Sequence, residues 1–279
     1  MNKNSLVIGL SAVLLACSPV MKKTGDDGQW LFLKRGTVSL GSHHIKHAEL
    51  FGEYVSGFND AILQGIDRVQ ATARDGGGYF IGKDSIPTES PVGYELKLFG
   101  HSLLSPPRTT SYCSGASFAA FIEGINIILE KQAGRLSPER LETIRMQEPD
   151  GGRREDHVKF WGWWNADGYG NHFALVQYSG MGTRIAPAQA RPGDFMNISW
   201  KSGLGHSVIF LGWYQDEQGK RYVAYWSSQR GTNGMGDQFV AIDSIKEVMI
   251  VRLTHPEKLF SFDPAAAVNK NISGYPIEW

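Results

Sequence analysis

The hydrophobic pattern of this chain changes period near residue 170, and that change decides what the chain can build. In the first part, Leu50, Phe51, Tyr54, Val55, Phe58, Ile62, Ile66 and Val69 recur at three- and four-residue steps, which predicts a long amphipathic helix over about residues 47–74. Asp75-Gly76-Gly77-Gly78 ends it. The stretch from Tyr79 to Pro107, rich in proline, glycine and serine, reads as loop with one strand around Tyr94 to Phe99. Cys113 to Gln132 (CSGASFAAFIEGINIILEKQ) is apolar nearly all round, as a buried central helix is, with Gly134 as its stop. Ser137-Pro138-Glu139 opens a short helix to about Gln147, serine capping and proline in the first turn. In the second part, the candidate strands Phe173 to Tyr178, Asp194 to Ile198, His206 to Tyr214, Arg221 to Ser227, Phe239 to Ile242 and Val248 to Leu253 are punctuated by tight turns. Short strands joined this way favour an antiparallel sheet, and helices followed by sheet make an α+β domain.

A chain of 279 residues holds one sizeable core, so residues 30–279 are expected to form a single domain. Lysine plus arginine (28) equals aspartate plus glutamate (28), so no overall field draws the molecule to nucleic acid. Leu6 to Ala16 (LVIGLSAVLLA) is an apolar run followed directly by Cys17. It is shorter than the ~20 residues a permanent bilayer span requires and fits the core of an export signal. Residues 1–16 therefore read as a signal peptide, and the polar, unpatterned residues 17–29 as a tether.

If Cys17 is consumed by processing, Cys113 is the one thiol left and no internal disulfide can form in an exported protein. Such a thiol is either a small buried hydrophobe or a nucleophile. Cys113 opens a helix, where unpaired N–H groups and the helix dipole favour the thiolate. Ser114 and Gly115 leave room for a substrate backbone, and the first-turn amides are placed to donate to an oxyanion. Gly205-His206-Ser207-Val208-Ile209 reads as a strand beginning with histidine, preceded by the turn Arg191-Pro192-Gly193-Asp194. A histidine at the mouth of a strand can face a helix terminus and form a thiolate–imidazolium pair with Cys113.

Three motifs in this order, YCSGASF, RPGDFM and GHSVIFLGW, resemble those of the NlpC and CHAP branch of papain-like peptidases, many of which cut amide bonds in bacterial cell-wall peptides. The resemblance spans roughly Tyr94 to Leu253. It implies a papain-like domain, Cys113 as nucleophile, His206 as base, no metal or organic cofactor, and a peptidoglycan peptide as substrate. The family's third polar residue follows the histidine strand; here Ser227, Ser228 and Gln229 are available, and Gln229, with an amide oxygen to accept the ring N–H, is the choice. The tyrosine that relatives carry upstream of the cysteine corresponds to Tyr94, at an unusually long spacing. Leu14 to Cys17 (LLAC) resembles the lipobox of bacterial lipoproteins, which implies a lipidated Cys17 and membrane attachment, and Ser18 resembles outer-membrane members. An ordinary signal peptide with an incidental cysteine is the alternative.

The remaining signals divide between chemistry and packing. Trp161-Gly162-Trp163-Trp164 reads either as core or as a wall on which substrate stacks, with Gly162, Asn165 and Asp167 marking a loop that favours the wall. His43, His44 and His47 have helical spacing for a metal but no neighbouring acidic or cysteine ligand, so they read as solvated capping residues. His172 reads as packing. Other classes stay open: a silent wall-binding module, or an enzyme of the same fold acting on another amide, ester or acyl donor.

Overall fold

The computed structural model describes residues 29–34, 36–38, 41, 43–81, 92–105, 108–145, 160–161, 170–263 and 265–278. The leader, Cys17, nearly all of the tether, Trp163 and Trp164 lie outside these residues. The chain is an α+β structure in which helices cover one face of a six-stranded antiparallel sheet.

The long helix expected over 47–74 is two helices, α1 (His47–Phe51) and α2 (Asn59–Thr72). Periodicity cannot register the break because apolar residues continue through it. The cause lies at Gly57, whose φ of 59° is a left-handed conformation that an interior helical residue does not adopt. A small hairpin, β1 (Leu96–Leu98) and β2 (His101–Leu104), precedes α3 (Cys113–Ile128) and the short α4 (Pro138–Ile144). Ser137 caps α4 by accepting from the Arg140 amide at 3.1 Å, as its sequence implies. Helices α2 and α3 touch through glycines: a Cβ at Gly65 would lie 2.6 Å from the Ala120 carbonyl oxygen. That approach buries Ile62, Ile66 and Val69 against Phe118, Phe121 and Ile125.

The expected strand at Phe173–Tyr178 is instead a π-helical turn following α5 (Gly170–His172). Its Phe-Ala-Leu-Val run carries no period long enough to separate strand from helix. The sheet comprises β3 (Gly182–Ile185), β4 (Phe195–Trp200), β5 (Gly205–Gln215), β6 (Arg221–Gln229), β7 (Gly234–Ala241) and β8 (Ile245–Leu253). Their order is β3-β8-β4-β5-β6-β7. Alternation along β5 and β6 sends Ile209, Leu211, Ala224 and Trp226 to the helical core, and Val208, Phe210, Val223 and Tyr225 to a second core covered by Trp30, Trp200 and Ile277.

The RPGD turn is a structural joint. The Asp194 carboxylate accepts two bonds from Arg252, each 2.8 Å, one from Asn59 at 2.8 Å and one from the Arg191 amide at 2.8 Å. It therefore ties β4, β8 and the start of α2 together. Trp161 is core rather than cleft wall: it is 1% exposed and packs on Phe118, Phe121 and Phe195 at ring-centroid separations of 5.4–5.7 Å. Among the described residues, no helix is long and apolar enough to cross a membrane.

Candidate active site

Helix α3 begins at Cys113 because Tyr112, in extended conformation, delivers the chain into the first turn. Tyr79 and Ser111 form a β-bridge, held by Ser111 N–H to Gly78 O and Phe80 N–H to Ser111 O, both 3.0 Å, which fixes that entry. The Cys113 thiol is half-buried and receives three backbone N–H groups, those of Ser207, Ser114 and Cys113 itself. The Ser207 amide belongs to the peptide that joins it to His206, so the start of α3 and the start of β5 meet at the sulfur.

Ser207 turns its side chain toward α3, where its hydroxyl and that of Ser117 lie 2.9 Å apart. His206 turns the other way. Its ring stands 6.4 Å from Trp200 and 5.5 Å, edge-on, from Tyr225. Tyr225 is buried and raised in pKa, first by desolvation and then by the nearby Cys113 charge, so this pocket is within electrostatic reach of the thiol. Gln229 completes it. Its Nε2 donates to Thr232 Oγ1 at 2.5 Å and to Gly236 O at 3.2 Å, which sets the amide's orientation. Its Oε1 is buried without a well-aligned donor and lies against the His206 imidazole, whose protonated form it favours.

Ser227 and Ser228 are committed elsewhere. Ser227 Oγ donates to Ser207 O at 2.7 Å, and Ser228 Oγ accepts from Ser111 Oγ at 2.9 Å. The Ser114 side chain bonds Tyr112, leaving its amide for the thiol. Tyr94 is not an oxyanion residue. Its hydroxyl reaches Glu123 at 3.5 Å, ten residues and about 15 Å along α3 from Cys113. There it lines an open pocket of about 510 Å³ with Arg68, Lys97, Asn126 and Glu130. The tyrosines that do approach Cys113 are Tyr79, Tyr112 and Tyr225, and the Tyr79 hydroxyl also feels the exposed Arg230. Only the adjacent Tyr112 was visible by proximity in sequence, since a bridge and a sheet register bring the other two.

The electrostatics correct the expected ion pair. Burial pushes the Cys113 thiol above its ordinary value, outweighing the three amides that favour thiolate. Burial also drives His206 down to about 4, opposed only in part by Gln229. At neutral pH Cys113 rests as a thiol and His206 as a neutral imidazole, and neither shifts the other.

A second group of histidines has found acidic partners that the local sequence lacks. His47 is fully buried, with Nδ1 2.7 Å from Asp67 Oδ1 and Nε2 2.9 Å from Asp237 Oδ1. His44 Nε2 lies 3.0 Å from the other Asp237 oxygen. These are not solvated capping residues. Burial alone would lower the His47 pKa, but bonds to Asp237 and Asp67 and their charges raise it to about 9. His172 is buried beside Asn171 in the short α5.

No family model, curated protein or solved structure matches this chain.

Proposed function

We propose that this protein is a cysteine hydrolase of papain-like fold that cuts amide bonds in the stem peptides of the bacterial cell wall. We also propose that it is carried to the envelope by a lipid on Cys17, facing the periplasm from the outer membrane. The observation that supports the activity most is the convergence of three backbone amides on one unpaired thiol, with His206 next to one of them and Gln229 behind its ring. In this reading Cys113 attacks the scissile carbonyl as its proton passes to neutral His206. The amides of Cys113 and Ser114 then serve the oxyanion. Imidazolium delivers that proton to the leaving amine, and a thioester remains. Water, deprotonated by His206, attacks the thioester; the acid product departs and the thiol regains its proton. Tyr79 and Arg230 flank this site and would contact substrate.

Purified peptidoglycan incubated with the protein should release peptide fragments, and Cys113→Ala should abolish release while leaving the melting temperature unchanged. Undiminished release by Cys113→Ala removes the proposal. Cys17→Ser should move the protein out of the membrane fraction; a wild-type protein that is wholly soluble, with Cys17 unmodified, removes the anchor.

The raised thiol favours a second reading, a silent module that holds wall glycan or peptide. An iodoacetamide-type probe at neutral pH separates the two. Selective modification of native Cys113, faster than in His206→Ala, supports the enzyme, and inertness supports the module.

A further inference from the structure

The buried histidines have no part in the proposed hydrolysis, yet their arrangement has its own chemistry. His44 and His47 stack face to face, 4.1 Å between ring centroids and 18° between planes, with both Nε2 atoms directed at one carboxylate. Those two nitrogens and an Asp237 oxygen lie within 4.8 Å of one another. The two chain segments that meet here are 190 residues apart, so no local turn explains the convergence. We propose that His44, His47 and Asp237 form a binding site for a divalent transition-metal ion of the zinc class, with Asp67 as its outer partner.

The donor set fits the ion. Two imidazole nitrogens and a carboxylate oxygen suit zinc, and ligands at ~2.0–2.1 Å in a tetrahedron stand ~3.3 Å apart. His47 Nε2 now lies 2.9 Å from one Asp237 oxygen and His44 Nε2 3.0 Å from the other, so the three donors must readjust around a shared ion. The side chain that must move is the accessible one: His44 is 21% exposed, whereas His47 and Asp237 are fixed at 0% and 1%. Three protein donors leave zinc's fourth position to water.

The outer partner strengthens the case. Asp67 accepts the His47 Nδ1–H, and also the amides of His47 at 2.8 Å and Ala48 at 3.1 Å, so it both starts α1 and holds the ring. A carboxylate on one ring nitrogen leaves the other to ligate, the arrangement that orients metal-bound histidines. With two carboxylates against two imidazoles, a divalent cation balances the cluster's charge. Two contacts oppose ligation: His47 Nε2 shares with Asp237 Oδ1 a proton that the metal must displace, and the Lys46 amide donates to His44 Nδ1 at 3.2 Å, so that a metal on Nε2 would move the proton to Nδ1 and release that amide. The ion would act as a clasp, fastening the segment before α1 to β7, where Gly41 N–H already meets Asp237 O at 3.0 Å.

The test uses the full chain, stripped with chelator and desalted, titrated calorimetrically with Zn²⁺ and followed by absorption with Co²⁺. Wild type should bind one equivalent with a rise in melting temperature and a visible Co²⁺ spectrum. His44→Gln, whose amide N–H can still reach Asp237, should fold and bind Zn²⁺ at least about tenfold more weakly, and Asp67→Asn about 10- to 100-fold more weakly. His43→Gln and His255→Gln should bind like wild type. Wild type that binds no Zn²⁺ shows a cluster holding protons only and overturns the proposal. So does equal Zn²⁺ affinity in wild type and His44→Gln, which would put the ion elsewhere.

Discussion

His47, fully buried, and His206, half-buried at the start of β5, are imidazoles beside strands of one sheet, and they are driven in opposite directions. Burial lowers both, because removing water penalises the charged ring. At His47 two carboxylates reverse the sign, and its pKa stands at about 9. At His206 the neighbours are Trp200, Tyr225 and the uncharged amide of Gln229, and burial prevails at about 4. Burial therefore does not decide what a histidine is for; the charge of its partners does. At neutral pH the first ring is charged and the second neutral.

Removing the partners should break this contrast most sharply at the first site. Asp237→Ala should cost about 3–5 kcal/mol by taking from His47 and His44 the buried carboxylate they share. His206→Ala should leave stability nearly unchanged while removing hydrolysis, since no carboxylate depends on it. Urea unfolding of the two variants checks this, and an Asp237→Ala protein as stable as wild type would show that the cluster contributes no net stability.

A smaller change should make the second site resemble the first. Gln229→Glu places a carboxylate against the His206 ring and should raise its pKa by about 1–3 units. NMR titration of the ring in a Cys113→Ala background reads the shift directly. An unmoved titration would mean that residue 229 does not face the imidazole.

The depressed value also predicts the pH response of the wild type. His206 serves as base only when neutral, so hydrolysis should rise as pH increases through about 4 and stay level across neutrality, without the alkaline limb that loss of the imidazolium proton imposes on an ion pair. Stability follows the same ring. Between 6.5 and about 4 the unfolded chain binds a proton that the folded ring refuses, so stability is complete above that window. It falls with pH inside the window by at most about 1.4 kcal/mol per unit. His206→Gln should remove that part of the slope. A rate that first rises near pH 6.5 would contradict the lowered value.

The two sites were not equally legible in the sequence. Cys113 and His206 announced themselves through local patterns, a small-residue helix start and a strand beginning with histidine, and β4, β5, β6 and β8 fell close to their expected bounds. Gln229 was reachable because it ends the next strand. The His47 cluster was not, since its acidic partners come from β7 and from mid-α2, and only folding brings Asp67 and Asp237 to the histidines. Tyr79 was hidden for the same reason. Trp161 misled because aromatic runs in loops and in cores look alike, and its partners Phe118, Phe121 and Phe195 are remote in sequence. The break at Gly57 depended on a backbone angle that apolar spacing does not encode.

The smallest effect distinguishes positioning of the ring from support of the strand. The β5–β6 ladder begins at Ile209 paired with Trp226 and stops short of Ser207. Ser227 supplies what the ladder omits, donating its hydroxyl to the Ser207 carbonyl at 2.7 Å. Ser227→Ala should therefore cost only about 1 kcal/mol, the net worth of one buried hydrogen bond. The Ser207 amide still points at Cys113 and Gln229 still holds the ring, so the rate should keep its order of magnitude and its acid limb should not move. Were Ser227 instead the group that orients His206, its loss would misplace the base and lower the rate by about 100-fold. Measuring kcat/KM and the acid limb together for Ser227→Ala and Gln229→Ala decides between them, because only the residue on the imidazole should shift both.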